Sequence, residues 1–244
     1  MVGLGAIVKT LLPMIAILSD IHSNLSALQA VISDAVDKGC TRFICLGDVV
    51  GYYSQPGECI DLLKAHNAIN IMGNHDSYLV LGSCCPRSSI VSSIIKYQIS
   101  IINIEQKTWL SQSLPSYREG RNYFVHGGPD DVQDQYLYSV SEKIIPNDAV
   151  NLFVGHTHVQ NLAHFGQKRF CNPGSVGQPR DGDCRAAYAI LESEEITLHR
   201  VPYDIDRTAN AMKLAGFSAM YYENLYIGAQ IGGRVDQIKI EIGE

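Results

Sequence analysis

The sequence lacks the features that mark several large classes of protein. Its seven cysteines contain no Cys-x-x-Cys pair, which disfavours a zinc ribbon or a thioredoxin-type redox site. Charged residues make up only 18% of the chain, and Asp and Glu (25) outnumber Lys and Arg (19). The net charge of −6 therefore excludes a strongly basic nucleic-acid arm. Beyond the apolar N-terminus there is no uninterrupted apolar run of about 18 residues, so we predict no transmembrane helix.

The residues that are present suit a globular protein with a sizeable core. The chain has 244 residues, of which 46% are hydrophobic, and it contains eight histidines. This length allows one large domain or two small ones. Most cysteines sit in apolar stretches such as 43–46, which is typical of small core residues and fits a reducing cytoplasm.

The N-terminus is apolar, but it is a poor match to a signal peptide. Lys9 interrupts the apolar run, Pro13 follows it, and no basic segment precedes it. We therefore expect a cytoplasmic protein. Met14 is a natural start, so we interpret residues 1–13 as an N-terminal extension and 14–244 as a single domain.

Five short apolar runs end abruptly in polar residues that can bind metals. The runs are 14–18, followed by Asp20 and His22; 43–46, followed by Asp48; 69–72, followed by Asn74, His75 and Asp76; 123–125, followed by His126; and 152–154, followed by His156 and His158. Continuous apolar runs of this length are typical of strands covered on both faces. Ligands of such sheets gather at the carboxyl ends of the strands, where these polar residues lie.

Between and after these runs, the periodicity of apolar residues predicts further elements of an α/β domain. Helices are expected over 25–36, 58–66, 90–101 and 105–114, strands over 187–191 and 196–201, and a helical region from Asp204. The polar segment 129–150 falls between two strands that carry candidate ligands. It could shape substrate access, but we favour a solvated surface loop.

The polar residues are informative as a set rather than singly. Asp20 and His22 are two residues apart, so an extended backbone would point both side chains the same way, and His156 and His158 repeat this spacing. With Asp48, Asn74 and His126 the set offers two carboxylates, one carboxamide and four imidazoles. Such donors suit Mn, Fe, Co, Ni or Zn. Seven ligands are too many for one ion and fit two, with one carboxylate bridging.

The ordered motifs resemble those of the calcineurin-like metallophosphoesterases. They are Asp20-x-His22, Gly47-Asp48, Gly73-Asn74-His75-Asp76, His126 and Gly155-His156-x-His158; in addition, the stretch 172–180 resembles a small prokaryotic branch of that family. The resemblance implies a four-layer αββα sandwich, with two mixed sheets flanked by helices and a binuclear metal site at the carboxyl ends of the strands.

The resemblance also implies roles for individual residues. One ion would be held by Asp20, His22, Asp48 and His158, and the other by Asp48, Asn74, His126 and His156. Asp48 would then bridge the two ions. His75 would act as the general acid or stabilise the transition state. What orients His75 is not evident from the sequence.

The implied activity is hydrolysis of a small, nucleotide-like phosphate ester by a phosphatase or phosphodiesterase, through direct in-line attack of a metal-bridging hydroxide. Alternatives are a dinucleoside polyphosphate hydrolase and a protein phosphatase. Residues 49–53 lack the Asp and Arg that protein phosphatases of the superfamily carry there, which disfavours a protein phosphatase. Ser23 also replaces the glycine that often follows the first Asp-x-His motif of the family. The acidic charge disfavours a nuclease, a stable nucleic-acid partner is not expected, and intact ligands disfavour a non-catalytic scaffold. Oligomeric state stays open.

Three further residues are candidates for contact with substrate. Arg180 could grip phosphate, or it could be a surface residue paired with Asp181 or Asp183. Tyr52, like its neighbour Tyr53, could stack on a base, although simple packing is favoured. Asn24 could hydrogen-bond a substrate or cap the next helix. The remaining histidines match no motif and are interpreted as structural; they are His66, His164 and His199.

Overall fold

The structure is a computed structural model that describes residues 13–241, so the predicted N-terminal extension lies outside the described residues except for Pro13. The strands are β1 (Ile15–Leu18), β2 (Arg42–Cys45), β3 (Ile69–Asn70), β4 (Tyr117–Glu119), β5 (Asn122–Phe124), β6 (Ser139–Val140), β7 (Asn151–Phe153), β8 (Asn161–Phe165), β9 (Lys168–Asn172), β10 (Ala186–Glu192), β11 (Glu195–Val201) and β12 (Lys239–Ile240). The helices are α1 (Leu25–Asp37), α2 (Pro56–Ala65), α3 (Asn74–Leu81), α4 (Ser89–Ile101), α5 (Ile104–Ser111) and α6 (Ile205–Leu214).

Ten of these strands form two mixed sheets. The first sheet has the order β11-β10-β1-β2-β3, and the second has the order β4-β5-β7-β9-β8. Neighbours β1, β2 and β3 are parallel, as are β5, β7 and β9. The other four strands, β4, β8, β10 and β11, each pair antiparallel to their neighbours. The carboxyl ends of the parallel strands are therefore the places where candidate ligands can meet.

The two sheets face each other across an apolar layer. Ile17 and Ile44 from the first sheet and Phe124 and Phe153 from the second are all fully buried in it. The rings of Phe124 and Phe153 stack with their centroids 4.7 Å apart. Burial on both faces explains why these strands appear in the sequence as continuous apolar runs.

The outer faces of the two sheets are covered differently. Helices α1, α2, α4 and α5 contribute buried residues to the core on the outer face of the first sheet. The outer face of the second sheet is covered by residues 137–149, which include a 3-10 helix at Glu142–Ile144. The predicted α/β fold with two mixed sheets and flanking helices is confirmed, although the segment 137–149 that covers the second sheet contains a 3-10 helix and no α-helix. The preferred interpretation of 129–150 as a solvated surface loop is wrong for 137–149, because Leu137, Val140 and Ala149 are buried in this layer, whereas Asp130 and Asp131 are exposed.

The predicted helices are confirmed, with shifted ends. Helix α2 begins at Pro56 rather than at residue 58, since proline suits the first turn of a helix. Helix α5 spans Ile104–Ser111 rather than 105–114, because Asn103 and Gln106 form a capping box at its start. Helix α3 was not predicted, because the motif Gly73-Asn74-His75 at its start could equally form a tight turn.

The structure also bears on two further expectations, which concern the cysteines and transmembrane helices. All seven cysteines are free thiols, and four of them are buried as predicted: Cys40, Cys45, Cys59 and Cys171. Among residues 13–241, no helix has both the length and the apolar character needed to cross a bilayer.

Candidate active site

The structure brings all seven predicted ligands together at one edge of the sandwich. Asp20 and His22 follow β1, Asp48 follows β2, and Asn74 opens α3 just after β3. His126 follows β5, and the pair His156 and His158 follows β7. Both sheets therefore contribute side chains to the same place, and every one of these side chains is buried.

The backbone brings the ligands together by a route that the sequence analysis did not foresee. Asp20 and His22 have φ values of 52° and 51°, and His156 and His158 have φ values of 64° and 60°. These residues are left-handed, so the expected extended backbone is wrong. A positive φ strains the backbone of a non-glycine residue, and such strain is often found at functional sites. Ser23 has φ of 59°, which explains why glycine is frequent at that position of the motif.

The first donor cluster consists of Asp20, His22 and His158. His22 Nε2 lies 3.0 Å from His158 Nε2, and the latter lies 3.3 Å from Asp20 Oδ1. The Nδ1–H of His22 donates to the Val50 carbonyl oxygen at 2.9 Å, and that of His158 donates to the Gln178 carbonyl oxygen at 2.7 Å. In a neutral ring this leaves each Nε2 without a hydrogen.

The second donor cluster consists of Asn74, His126 and His156. His126 Nε2 lies 3.1 Å from His156 Nδ1 and 3.2 Å from Asn74 Oδ1. The Nδ1–H of His126 donates to the Leu46 carbonyl oxygen at 3.0 Å, so Nε2 is the nitrogen that the neutral ring offers to a metal ion. Two ring nitrogens and an amide oxygen, all able to bind a metal ion, therefore crowd together.

Asp48 lies between the two donor clusters. Its Oδ2 is 3.7 Å from His22 Nε2 and 3.4 Å from His126 Nε2. Its Oδ1 accepts a hydrogen bond from the backbone N–H of His75 at 2.9 Å. This close approach requires glycine at position 73, since a Cβ there would stand 2.1 Å from Asp48 Oδ1. One carboxylate thus faces both clusters.

The electrostatics of the site favour a bound cation. Burial raises the pKa of Asp48, but His126 and His75 outweigh it and hold that pKa well below its ordinary value. Burial lowers the pKa of His126, but the Asp48 carboxylate outweighs this and raises the pKa to about 9. The two carboxylates thus favour positive charge at the facing imidazole nitrogens, and a divalent ion can supply that charge in place of the proton on His126. The residues present therefore fit divalent metal ions.

His75 sits beside the ligands without an orienting hydrogen bond. Its Nε2 is 3.9 Å from Asp48 Oδ2, and its Nδ1 is buried with no hydrogen-bond partner among the described residues. Burial lowers its pKa to about 4. The ring packs against Tyr52, with centroids 4.9 Å apart, and its Nδ1 lies against the Cα of Gly51, where a Cβ would stand only 2.2 Å away. Packing, rather than a carboxylate, orients His75.

Arg180 is a buried residue at the rim of the site. Its Nη2 donates to the Tyr52 hydroxyl at 3.0 Å and to Gln178 Oε1 at 2.7 Å. The alternative of a surface ion pair is wrong, since Asp181 pairs with Arg200 and Asp183 pairs with Arg185. The Arg180 guanidinium is therefore buried without a carboxylate partner among residues 13–241. With Tyr52 it lines a cavity of about 200 Å³.

Asn24 is the one candidate substrate contact that the structure contradicts. It is fully buried and is the N-cap of α1, where its Oδ1 accepts from the backbone N–H of Ala27 at 3.2 Å. The same oxygen accepts from the Thr208 hydroxyl at 2.7 Å, and its Nδ2 donates to the Gly177 carbonyl oxygen at 2.8 Å. With these bonds made, Asn24 is a structural residue rather than a substrate contact.

Several residues at the site were missed by the sequence analysis. Asp134 Oδ1 lies 3.4 Å from His156 Nε2, and the ring of Tyr136 lies 3.8 Å from the His156 ring between centroids. Both belong to the segment that was expected to be a surface loop. Gln98 of α4 is fully buried and fixes the loop at 51–53, since its amide bonds to Gly51 and Tyr53. No motif marks these residues.

Comparison with known proteins places the site in a family. Residues 14–195 match the family model of the calcineurin-like phosphoesterase superfamily domain. The uncharacterized protein MJ0912 of Methanocaldococcus jannaschii is 34% identical over 240 residues, covering 88% of this chain and 98% of that protein. Phosphodiesterase YfcE of Escherichia coli K12 is 24% identical over 190 residues, covering 74% of this chain and 88% of YfcE.

A solved structure adds to these relatives. The crystal structure of a metallophosphoesterase from Sphaerobacter thermophilus has a TM-score of 0.78 and 32% sequence identity, covering 88% of this chain and 99% of that one. The fold and donor set define a metal-dependent hydrolase. The chain belongs to the calcineurin-like phosphoesterase superfamily and is a metallophosphoesterase.

Proposed function

We propose that this metallophosphoesterase binds two divalent ions and hydrolyses a small phosphate ester by direct in-line attack, without a covalent enzyme intermediate. The observation that carries the proposal is the pair of imidazole nitrogens that face each other in each donor cluster, 3.0 Å apart in the first and 3.1 Å apart in the second. Asp48, whose Oδ2 faces both clusters, would be the shared ligand. Imidazole with carboxylate and amide oxygen suits Mn, Fe, Co, Ni or Zn.

Divalent ions held there would make a bound water acidic enough to act as nucleophile near neutral pH and would offset the charge of the phosphoryl oxygens. The protein side chains complete the site. His75 presents Nε2 toward Asp48, so a hydrogen on Nε2 can be donated to the leaving oxygen of the ester. Its pKa of about 4 keeps the ring neutral near pH 7, which favours hydrogen-bond donation over full proton transfer.

Arg180 supports a phosphate ester as the substrate. A guanidinium that is buried without a carboxylate partner is costly unless an anion joins it. Phosphate oxygens match guanidinium geometry well. The cavity beside it is also lined by Tyr52, Ser88 and Ile90, and the organic part of a small ester held by Arg180 would lie there. We also retain the expectation of a cytoplasmic protein.

The name of YfcE, a phosphodiesterase, favours including diesters among the substrates to be tested. The test measures hydrolysis of p-nitrophenyl phosphate and bis(p-nitrophenyl) phosphate with Mn²⁺, Ni²⁺, Co²⁺, Mg²⁺ and Zn²⁺, followed by a panel of nucleotides and dinucleoside polyphosphates. We expect hydrolysis by the wild-type protein and its loss in Asp48→Asn and His75→Ala. Turnover at the wild-type rate by both variants would contradict the mechanism. A protein that neither binds these ions nor hydrolyses any ester would instead be a scaffold.

A further inference from the structure

A bidentate ion pair links the 129–136 segment to the loop between α3 and α4 beside the site. Arg87 Nη1 donates to Asp134 Oδ2 at 2.8 Å, and Arg87 Nη2 donates to Asp134 Oδ1 at 2.5 Å. The same Oδ1 lies 3.4 Å from His156 Nε2. Arg87, Asp134 and His156 therefore form a chain of contacts that runs from the surface to the second donor cluster.

The two ring nitrogens of His156 face different partners, His126 and Asp134. Its Nδ1 faces His126 Nε2 at 3.1 Å, inside the second donor cluster. Its Nε2 is buried and has no hydrogen-bond partner among the described residues. If Nδ1 is to offer its lone pair to a cation, the neutral ring must carry its hydrogen on Nε2. That hydrogen then needs an acceptor, and the Asp134 carboxylate lies within reach.

The other three histidines of the donor clusters have their tautomers fixed by the backbone. Carbonyl oxygens accept the Nδ1–H groups of His22, His126 and His158 at 2.7–3.0 Å. His156 makes no such bond to the backbone. It is thus the one imidazole of the two donor clusters whose tautomer depends on a side chain within the described residues. Ligand histidines usually need such a partner, and losing it weakens metal binding.

Asp134 is held firmly enough to take this role. The backbone N–H groups of Gln133 and Asp134 both donate to Asp131 Oδ1 at 3.1 Å, which forms a tight turn. Gln133 Nε2 donates to the Gly73 carbonyl oxygen at 3.1 Å and ties this turn to the start of α3. Tyr136 covers the face of the His156 ring, and the Arg87 guanidinium lies 5.4 Å from the centre of the Tyr136 ring.

We propose that Asp134 is a positioning residue that accepts the Nε2–H of His156, fixes its tautomer with Nδ1 facing the second donor cluster, and is itself held by Arg87. Asp134 and Arg87 are 34% and 45% exposed, and an exposed ion pair by itself adds little to stability. We therefore assign the Arg87–Asp134 pair a role in orienting His156 rather than in stabilising the fold. This inference rests on the proposed function, because it assumes that the second donor cluster binds a divalent ion.

The test compares wild-type protein with Asp134→Ala, Asp134→Asn and Arg87→Met. The control is Asp148→Asn, which breaks a more exposed ion pair, with Arg118, at the opposite ends of the strands. Nitrogen-15 NMR of histidine-labelled protein reports the tautomer of His156 before and after addition of Zn²⁺ alone. Competition with a chelator gives the Zn²⁺ dissociation constants. Circular dichroism checks that each variant is folded, which the exposed turn should allow.

We expect wild type and the control to show one His156 tautomer, with the hydrogen on Nε2. In Asp134→Ala the ring should populate both tautomers, and Zn²⁺ affinity at one of two sites should fall about 10- to 100-fold. Asp134→Asn keeps an acceptor oxygen without the charge and should lie between the two. An unchanged tautomer with unchanged affinity in Asp134→Ala would overturn the proposal. If wild type bound no divalent ion, the proposed function would fail, while the tautomer would still decide the role of Asp134.

Discussion

Gly51 shows how closely the backbone approaches the candidate catalytic histidine. Its φ is +95°, and a Cβ at this position would stand 2.2 Å from His75 Nδ1. We expect Gly51→Ala to displace the His75 ring, abolish most hydrolysis of p-nitrophenyl phosphate, and lower the free energy of unfolding by more than about 2 kcal/mol. Enzyme kinetics and urea denaturation measure the two effects.

Gly120 offers a matched control for that change. Its φ is +58°, but no atom lies within 4 Å of the Cβ that alanine would add. Gly120→Ala should therefore cost only the strain of the left-handed backbone, about 1 kcal/mol, and leave hydrolysis unchanged. If both variants hydrolysed the ester equally well, packing against Gly51 would not be what orients His75.

Arg180 should affect substrate binding more than stability. Arg180→Met removes an unpaired buried charge while keeping much of the apolar length of the side chain, so the free energy of unfolding should change little. A charge-assisted bond to phosphate contributes about 1.5–3 kcal/mol, so kcat/KM should fall about 10- to 100-fold. Steady-state kinetics on wild type and variant measure this. An unchanged KM and kcat would place the phosphate away from Arg180.

At the scale of single residues, the sequence predicted which side chains lie together but not the backbone conformation that brings them together. The order Asp20, His22, Asp48, Asn74 and the later histidines follows from strand ends converging at one edge. The left-handed backbone of these ligands could not be predicted, because glycine and asparagine are the usual signals for positive φ. Asp134 carries no signal, since its position depends on a turn that Gln133 ties to Gly73, which is distant in the chain.

Helix α1 shows the effect of a cap that is also a tertiary contact. Asn24 caps its first turn and also accepts a hydrogen bond from Thr208 of α6. Asn24→Ala should lower the free energy of unfolding by about 2–4 kcal/mol, since it removes the cap and leaves buried polar groups without partners. Thermal or urea denaturation measures the loss. The KM of the folded variant should equal that of wild type.

Asp204, the N-cap of α6, is the comparison for Asn24. Among the described residues, its exposed carboxylate accepts only the local bond from the backbone N–H of Arg207, at 3.0 Å. Asp204→Ala should therefore cost about 1 kcal/mol, the usual value of a cap. Equal losses in the two variants would mean that the buried contacts of Asn24 add nothing to the cap.

The elements that the sequence missed share a physical reason. Strands β8 and β9 mix polar and apolar residues and lie at one side of the second sheet, so they lack the continuous apolar run of a central strand. Helix α3 buries only one large apolar residue, Leu79, and so has little apolar periodicity. Its start signal was present, since Asp76 Oδ2 accepts from the backbone N–H of Gly73 at 3.1 Å.

At the scale of the molecule, bound ions should stabilise the folded chain, because the ligands come from both sheets. A ligand present at 100 times its dissociation constant adds about 2.7 kcal/mol per site to the free energy of unfolding. For a chain of this length that corresponds to a rise of about 5–10 °C in the melting temperature. Differential scanning calorimetry with Mn²⁺ or with EDTA measures the shift. Asp48→Asn is the control and should show a smaller shift.

The loops that carry the ligands are hydrogen-bonded to one another rather than to solvent. The backbone N–H of Asp20 donates to the Gly47 carbonyl oxygen, that of Gly155 donates to the His126 carbonyl oxygen, and that of His156 donates to the Asp20 carboxylate. These bonds join loops from both sheets into one connected unit. No single loop can open without breaking bonds to another. In native-state hydrogen exchange, their amides should therefore exchange as slowly as those of the central strands, and all of them should become exposed in one cooperative opening.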